Sequence, residues 1–119
     1  MKVYDKDGLT IYNCRYEDII DTLKFDYIIC DPPYNVGYKY NAYKDNLSDE
    51  KYKELLKPLA KYKVGMIHHM KHIIKYFCIP NKISPTDNFA WCYNSMLGRQ
   101  HRDLVFFNTQ IIFVCIIFI

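Results

Sequence analysis

Four things are missing from this chain, and each narrows what it can be. None of its five cysteines, Cys14, Cys30, Cys78, Cys92 and Cys115, forms a Cys-x-x-Cys pair, the spacings are wide and the number is odd. That argues against a disulfide framework and a zinc site, and the cysteines in apolar runs read as small buried hydrophobes. The N-terminal Met1-Lys2-Val3-Tyr4-Asp5-Lys6-Asp7 has no apolar core segment, so no secretory signal is expected, and a cytoplasmic or other intracellular setting, including a virus-infected cell, is the default expectation. No apolar run approaches the roughly 20 residues that a membrane span needs, so no membrane partner is expected. The nearest is Ile111 to Ile119. Glutamate is missing from the histidine cluster His68-His69-x-x-His72, which therefore lacks the general base and third ligand of an HExxH metal site. A structural or solvent-facing role is expected for these histidines.

What is present fits one α/β domain of 119 residues. The net charge of +3 permits a polyanionic partner without requiring one. Twelve tyrosines, many set among lysines, suit base stacking and phosphate contact, although an AT-rich genome would produce the same bias. Leu9 to Tyr12 reads as a strand, and Tyr16, Ile19, Ile20 and Leu23 make one helical stripe. Phe25 to Cys30 reads as a strand buried on both faces, so the order suggests a parallel βαβ unit. Ser48 is a predicted N-cap for a helix carrying Tyr52, Leu55, Leu56 and Leu59, ended or kinked by Pro58. A strand is predicted at Val64 to Ile67, a helix at His69 to Phe77 and a turn region at Pro80 to Asn88. Two further strands, Phe89 to Tyr93 and Leu104 to Phe107, are predicted on either side of a polar connection containing Arg99, Gln100, His101 and Arg102. The tail at 109–119, whose last nine residues Ile111 to Ile119 are all apolar, reads either as a buried strand or as an arbitrary tail left by truncation or a frameshift, and the second account is favoured because no polar residue alternates within the run.

The most informative residues follow the Phe25 to Cys30 run: Asp31-Pro32-Pro33-Tyr34-Asn35-Val36-Gly37. Each proline fixes its own φ and pushes the preceding residue into extended backbone, so the turn is stiff before any ligand arrives. A stiff turn at the carboxyl end of a parallel strand lies where open α/β sheets bind ligands. The Asp31 carboxylate and the Pro32 carbonyl can each accept one N–H of an exocyclic amino group, and Tyr34 can stack on the base that carries it. Holding both N–H bonds directs the nitrogen lone pair toward an electrophile, which is orientation plus electrostatic preorganisation. A base in a duplex would first have to be flipped out.

This segment resembles the catalytic motif of DNA amino-methyltransferases, which methylate adenine N6 or cytosine N4 with S-adenosylmethionine. Leu9-Thr10-Ile11-Tyr12-Asn13-Cys14 and the stripe after it resemble the strand and helix that precede the motif in many members, with Asn13 where the family usually has Asp and Tyr12 where it has Gly. Phe89-Ala90-Trp91-Cys92-Tyr93-Asn94, Gly98-Arg99 and Leu104-Val105-Phe106-Phe107 resemble its later pair of sheet-edge strands. The resemblance covers residues 9–108 and implies a partial Rossmann-like α/β sheet, with residues 1–108 as the catalytic half of a methylase domain. It implies Asp31, Pro32, Pro33 and Tyr34 as catalytic residues and Tyr34, Asn35 and Gly37 as substrate contacts. S-adenosylmethionine is the implied cofactor, touched by Asp31 and Asn13, and DNA the implied partner. An acid at position 31 implies adenine over cytosine. In the subgroup where the catalytic half comes first, a Phe-x-Gly-x-Gly loop follows; here Gly65 and Gly98 stand isolated. The expectation is a fragment, or a subunit that needs a second chain to supply the cofactor-binding half. The alternatives left open are a non-catalytic remnant or DNA-binding subunit, and a methyltransferase for RNA bases or protein glutamine.

Overall fold

Asp7 and Gly8 both take positive φ, 56° and 80°, and this governs the N-terminal chain. A two-residue Asp-Gly turn of this hand matches the twist of an antiparallel hairpin. Strands β1 (Lys2–Lys6) and β2 (Leu9–Tyr12) accordingly pair with each other, Lys6 opposite Leu9 and Lys2 opposite Tyr12, in a separate two-stranded sheet. The predicted parallel βαβ unit is therefore corrected: β2 never joins the main sheet. The computed structural model that defines this fold describes residues 2–95 and 98–109.

The main sheet is mixed and four-stranded, in the order β3 (Ile28–Cys30), β4 (Val64–His68), β6 (Gly98–Phe107), β5 (Asp87–Ser95). β3 runs parallel to β4, with Ile29 opposite Gly65, while β6 is antiparallel to both its neighbours. A side chain at Gly65 would have its Cβ 2.6 Å from Phe106 and 2.9 Å from Ile29, so this central position has room only for glycine. The residues expected to form a polar connection, Arg99 to Arg102, belong to β6, whose ladder with β5 reaches from Asp87↔Phe106 to Ser95↔Gly98. β3 is shorter than predicted and lies at the sheet edge, so it is not buried on both faces: Tyr27 is 58% and Ile29 66% exposed.

Helices cover the other face. The stripe from Tyr16 forms a short helix, α1 (Tyr16–Ile19), running into a 3₁₀ turn at Ile20–Thr22. Ser48 caps α2 (Asp49–Leu56) by accepting a hydrogen bond from Lys51 N, and Asp49 and Glu50 complement the helix dipole. Pro58 tightens the continuation into a 3₁₀ turn at Lys57–Lys61. After β4 comes α3 (Met70–Ile73), a π turn at Ile74–Cys78 and α4 (Ile79–Asn81), so the helix outlasts its predicted end. Pro80 has no N–H for the Tyr76 carbonyl and would crowd it; the π turn just before the proline widens the coil there. Val64, Met66, Ile73, Phe77, Val105 and Phe107 are fully buried between sheet and helices, and Tyr52, Leu56 and Leu59 extend this core. Each such side chain contributes about 1.5–3 kcal/mol by leaving water. Of the cysteines in apolar runs, Cys78 is buried and Cys30 half-buried, whereas Cys92 is exposed, contrary to its reading as a core residue. Residues 110–119, with the apolar run Ile111 to Ile119, lie outside the described residues, and among those described no helix is long and apolar enough to cross a membrane.

Candidate functional site

Asp31 to Tyr34 begin where β3 ends, at its carboxyl end, beside the parallel strand β4. Asp31 is exposed, and its Oδ1 accepts a hydrogen bond from the Tyr34 hydroxyl at 2.8 Å. Burial and the adjacent Asp31 carboxylate push the Tyr34 phenol up to about 12, so at neutral pH it is a donor and not a base. Its ring is not free on both sides. His68 stacks on it at 4.4 Å with 27° between the planes, and the Arg102 guanidinium carbon lies 5.2 Å from its centroid. A base can use at most the face away from His68.

Below the motif lies a hydrogen-bonded chain that no local pattern announced. His68, the last residue of β4, is fully buried. Its Nδ1 accepts from the His69 backbone N–H at 2.7 Å, so in the neutral ring the proton sits on Nε2. Nε2 then donates to the Tyr52 hydroxyl at 2.7 Å, and that hydroxyl donates to the Pro33 carbonyl at 2.7 Å. Tyr52 thus fixes the second proline of the motif by its carbonyl, while His68 supports Tyr34 from beneath. His68 and His72 do not share a helix face, because His68 ends a strand and His72 sits in α3. No group of His, Cys, Asp or Glu among the described residues is arranged to hold a metal ion.

Neutral His68 makes stability depend on pH. Burial, with His72, His69 and Arg102 nearby, lowers it from 6.5 to about 3. The unfolded chain therefore binds a proton that the folded chain refuses between these values, so stability is full above pH 6.5 and falls as pH drops toward 3. At pH 4.5 the loss is about 2–3 kcal/mol. His68→Gln, which keeps a donor for Tyr52, should flatten the urea midpoint between pH 7.5 and 4.5, and an equally steep slope in the variant would refute the assignment.

The loop after the motif is anchored by another residue that sequence reading passed over. Asp45, 2% exposed, accepts hydrogen bonds from the backbone N–H of Asn35 (2.9 Å), Val36 (3.0 Å) and Tyr38 (3.0 Å). The Asn35 side chain clips the loop to Leu47 in both directions, at 2.8 and 2.7 Å. Asn35 and Gly37 take φ of 56° and 79°, which the turn requires. Both residues are thus held in the turn by which the motif leaves the sheet. Asn13 is placed elsewhere, in the exposed turn after β2, outside the sheet that carries Asp31.

A cleft of about 1190 Å³ runs beside β3, with Asp31, Pro32 and Pro33 at one wall and the Ile19, Ile20 and Leu55 side chains among those opposite. Cys30 lines it too, but burial and Asp31 push its thiol up to about 12, so it is no ready nucleophile. No family model, curated protein or solved structure matches this chain.

Proposed function

We propose that this chain is the catalytic half of a Rossmann-like DNA amino-methyltransferase that acts on adenine N6 in preference to cytosine N4. The observation that carries this reading is the Asp31 carboxylate at the carboxyl end of a parallel strand, fixed through one oxygen by Tyr34 and otherwise exposed. Its Oδ2 accepts one N–H of a flipped base's amino group, and the Pro32 carbonyl accepts the other. The proline ring and the Tyr52 bond to the next carbonyl keep that peptide from turning. A base stacking on Tyr34 would use the face away from His68 and would have to accommodate the Arg102 guanidinium over that ring. Because Asp31 and the Pro33 carbonyl are already fixed by Tyr34 and Tyr52, the turn would orient an amino group with little further reorganisation.

Among the described residues no strand pairs with the outer edge of β3, which supports the idea of a partial sheet: Tyr27 and Ile29 are apolar and exposed there, where further strands would continue. Of the two residues carried over for S-adenosylmethionine, Asp31 ends β3 and Asn13 follows a strand of the separate hairpin. On this reading the methyl donor is held by a second polypeptide, and this chain supplies the base half.

The test is to isolate the chain with whatever it binds in its own cells, supply S-adenosylmethionine labelled in the methyl group, and digest the DNA. Label is expected in N6-methyladenine. Label in RNA or protein alone would overturn the reading, and none in any substrate, with no heat of S-adenosylmethionine binding, would favour a non-catalytic DNA-binding role.

A further inference from the structure

The loop from Tyr38 to Lys44 exposes aromatic rings on a rigid support. Tyr38 is 65% and Tyr40 48% exposed, with their ring centroids 4.8 Å apart and the planes tilted by 54°. Tyr43 meets Tyr40 edge-on at 6.0 Å. Tyr43 is half-buried, but the loop is not held by burial of Tyr38 or Tyr40. It is held from inside, by the Asp45 carboxylate on the Tyr38 N–H and by the Asp45 carbonyl, which accepts from the Gly37 N–H at 2.7 Å. Large apolar rings fixed toward water at a turn need a partner to repay their exposure.

The charges at the same turn indicate which partner. Lys39 and Lys44 form an antiparallel bridge, so they stand directly across from each other. Like charges at such a pair are destabilising. Neither makes an ion pair among the described residues, and the acid next to Lys44 in sequence, Asp45, is buried and spent on backbone N–H groups. An anion between the two ammonium groups would relieve this. Rings alternating with paired cations match the two repeating parts of a nucleic-acid single strand, base and phosphate.

We infer that Tyr38-Lys39-Tyr40 and Lys44 form a binding platform for single-stranded DNA, with Tyr38 and Tyr40 stacking on bases and the two lysines straddling a phosphate. The choice of DNA over RNA rests on the proposed function. The platform is tied to the motif, because the same Asp45 carboxylate holds Asn35, the residue after Tyr34. It would therefore seat unpaired nucleotides of the strand whose base enters the cleft.

Fluorescence anisotropy of the full chain with labelled single-stranded DNA of about 12 nucleotides tests this. Tyr38→Ala and Tyr40→Ala should each weaken binding about tenfold, and Tyr40→Phe should retain it. Lys39→Gln with Lys44→Gln should flatten the dependence of log affinity on log salt by about one unit. All these side chains are exposed, so folding should be preserved. No binding by the wild type, unchanged affinity in the tyrosine variants, or tighter binding of RNA of the same sequence would overturn the platform. Tyrosine-dependent binding by a chain that transfers no methyl group would keep the platform and remove the proposed function. N6-adenine methylation with an unchanged KM for DNA in the double tyrosine variant would do the reverse.

Discussion

Asp31→Ala should abolish methyl transfer to adenine while leaving DNA binding largely intact. The carboxylate is exposed at the strand end, so its removal opens no cavity in the core. What disappears is one of the two acceptors that hold the amino group, and the nitrogen is then free to keep its lone pair in the ring. Losing one preorganised electrostatic partner at a reacting centre costs about 10²–10³-fold in turnover. Asp31→Asn is the more searching variant. Its amide oxygen can still accept from the Tyr34 hydroxyl where Oδ1 does now, which leaves the NH₂ group facing the base. Two donors then oppose each other, so asparagine should be no better than alanine despite its identical shape. The measurement is single-turnover methyl transfer with DNA affinity read separately by anisotropy. Unchanged turnover in either variant would sink the assignment of Asp31. Tyr34→Phe should be milder, because it frees an oxygen of Asp31 without removing the carboxylate.

The residues legible in the sequence are those whose signal is local. The motif, the Ser48 cap and the tightening at Pro58 all follow from a few neighbouring side chains, and the structure has the cap and the tightened turn where the residues put them. The first sheet was misread although its signal was local as well: Asp7-Gly8 is a hairpin turn, and giving it weight would have paired β2 with β1 in place of β3. Residues Arg99 to Arg102 were read as a connection because they are polar, but polar residues sit readily in a strand whose partner supplies the hydrogen bonds, and β5 does so along the ladder to Ser95↔Gly98. The supports of the motif were not legible for a different reason. Tyr52 lies 19 positions from Pro33 and reaches it only because α2 packs over the end of β3. His68 looks in sequence like part of a histidine cluster, and only the parallel pairing of β3 with β4 brings it under Tyr34. A carboxylate that serves backbone N–H groups, as Asp45 does, leaves no complementary side chain to notice.

Asp45→Asn should be among the most destabilising single changes available in this chain, although it alters one atom and no volume. The carboxylate offers only acceptors, and three backbone donors use them: Asn35 on Oδ1, Val36 and Tyr38 on Oδ2. An asparagine has one acceptor oxygen. Placed at the Oδ2 position it keeps Val36 and Tyr38 but turns its NH₂ toward the Asn35 N–H; reversed, it keeps Asn35 and opposes the other two. Either orientation leaves at least one backbone donor unpaired against another donor at a site that is 2% exposed. Each buried unsatisfied group costs about 1–3 kcal/mol, and hydrogen bonds to a charged acceptor are worth more than neutral ones, so the total is about 3–5 kcal/mol. That is a large part of the 5–15 kcal/mol that stabilises a typical domain. Alanine removes the same acceptors but leaves space for water to replace them, so Asp45→Ala should be no worse than Asp45→Asn. Urea denaturation gives the size of the loss, and amide hydrogen exchange locates it, with Asn35, Val36 and Tyr38 losing protection before the β4–β6 ladder does. An asparagine variant as stable as the wild type would mean that the Asp45 carboxylate does not hold the loop, and the rigid link it makes between the motif and the tyrosine platform would have to be given up.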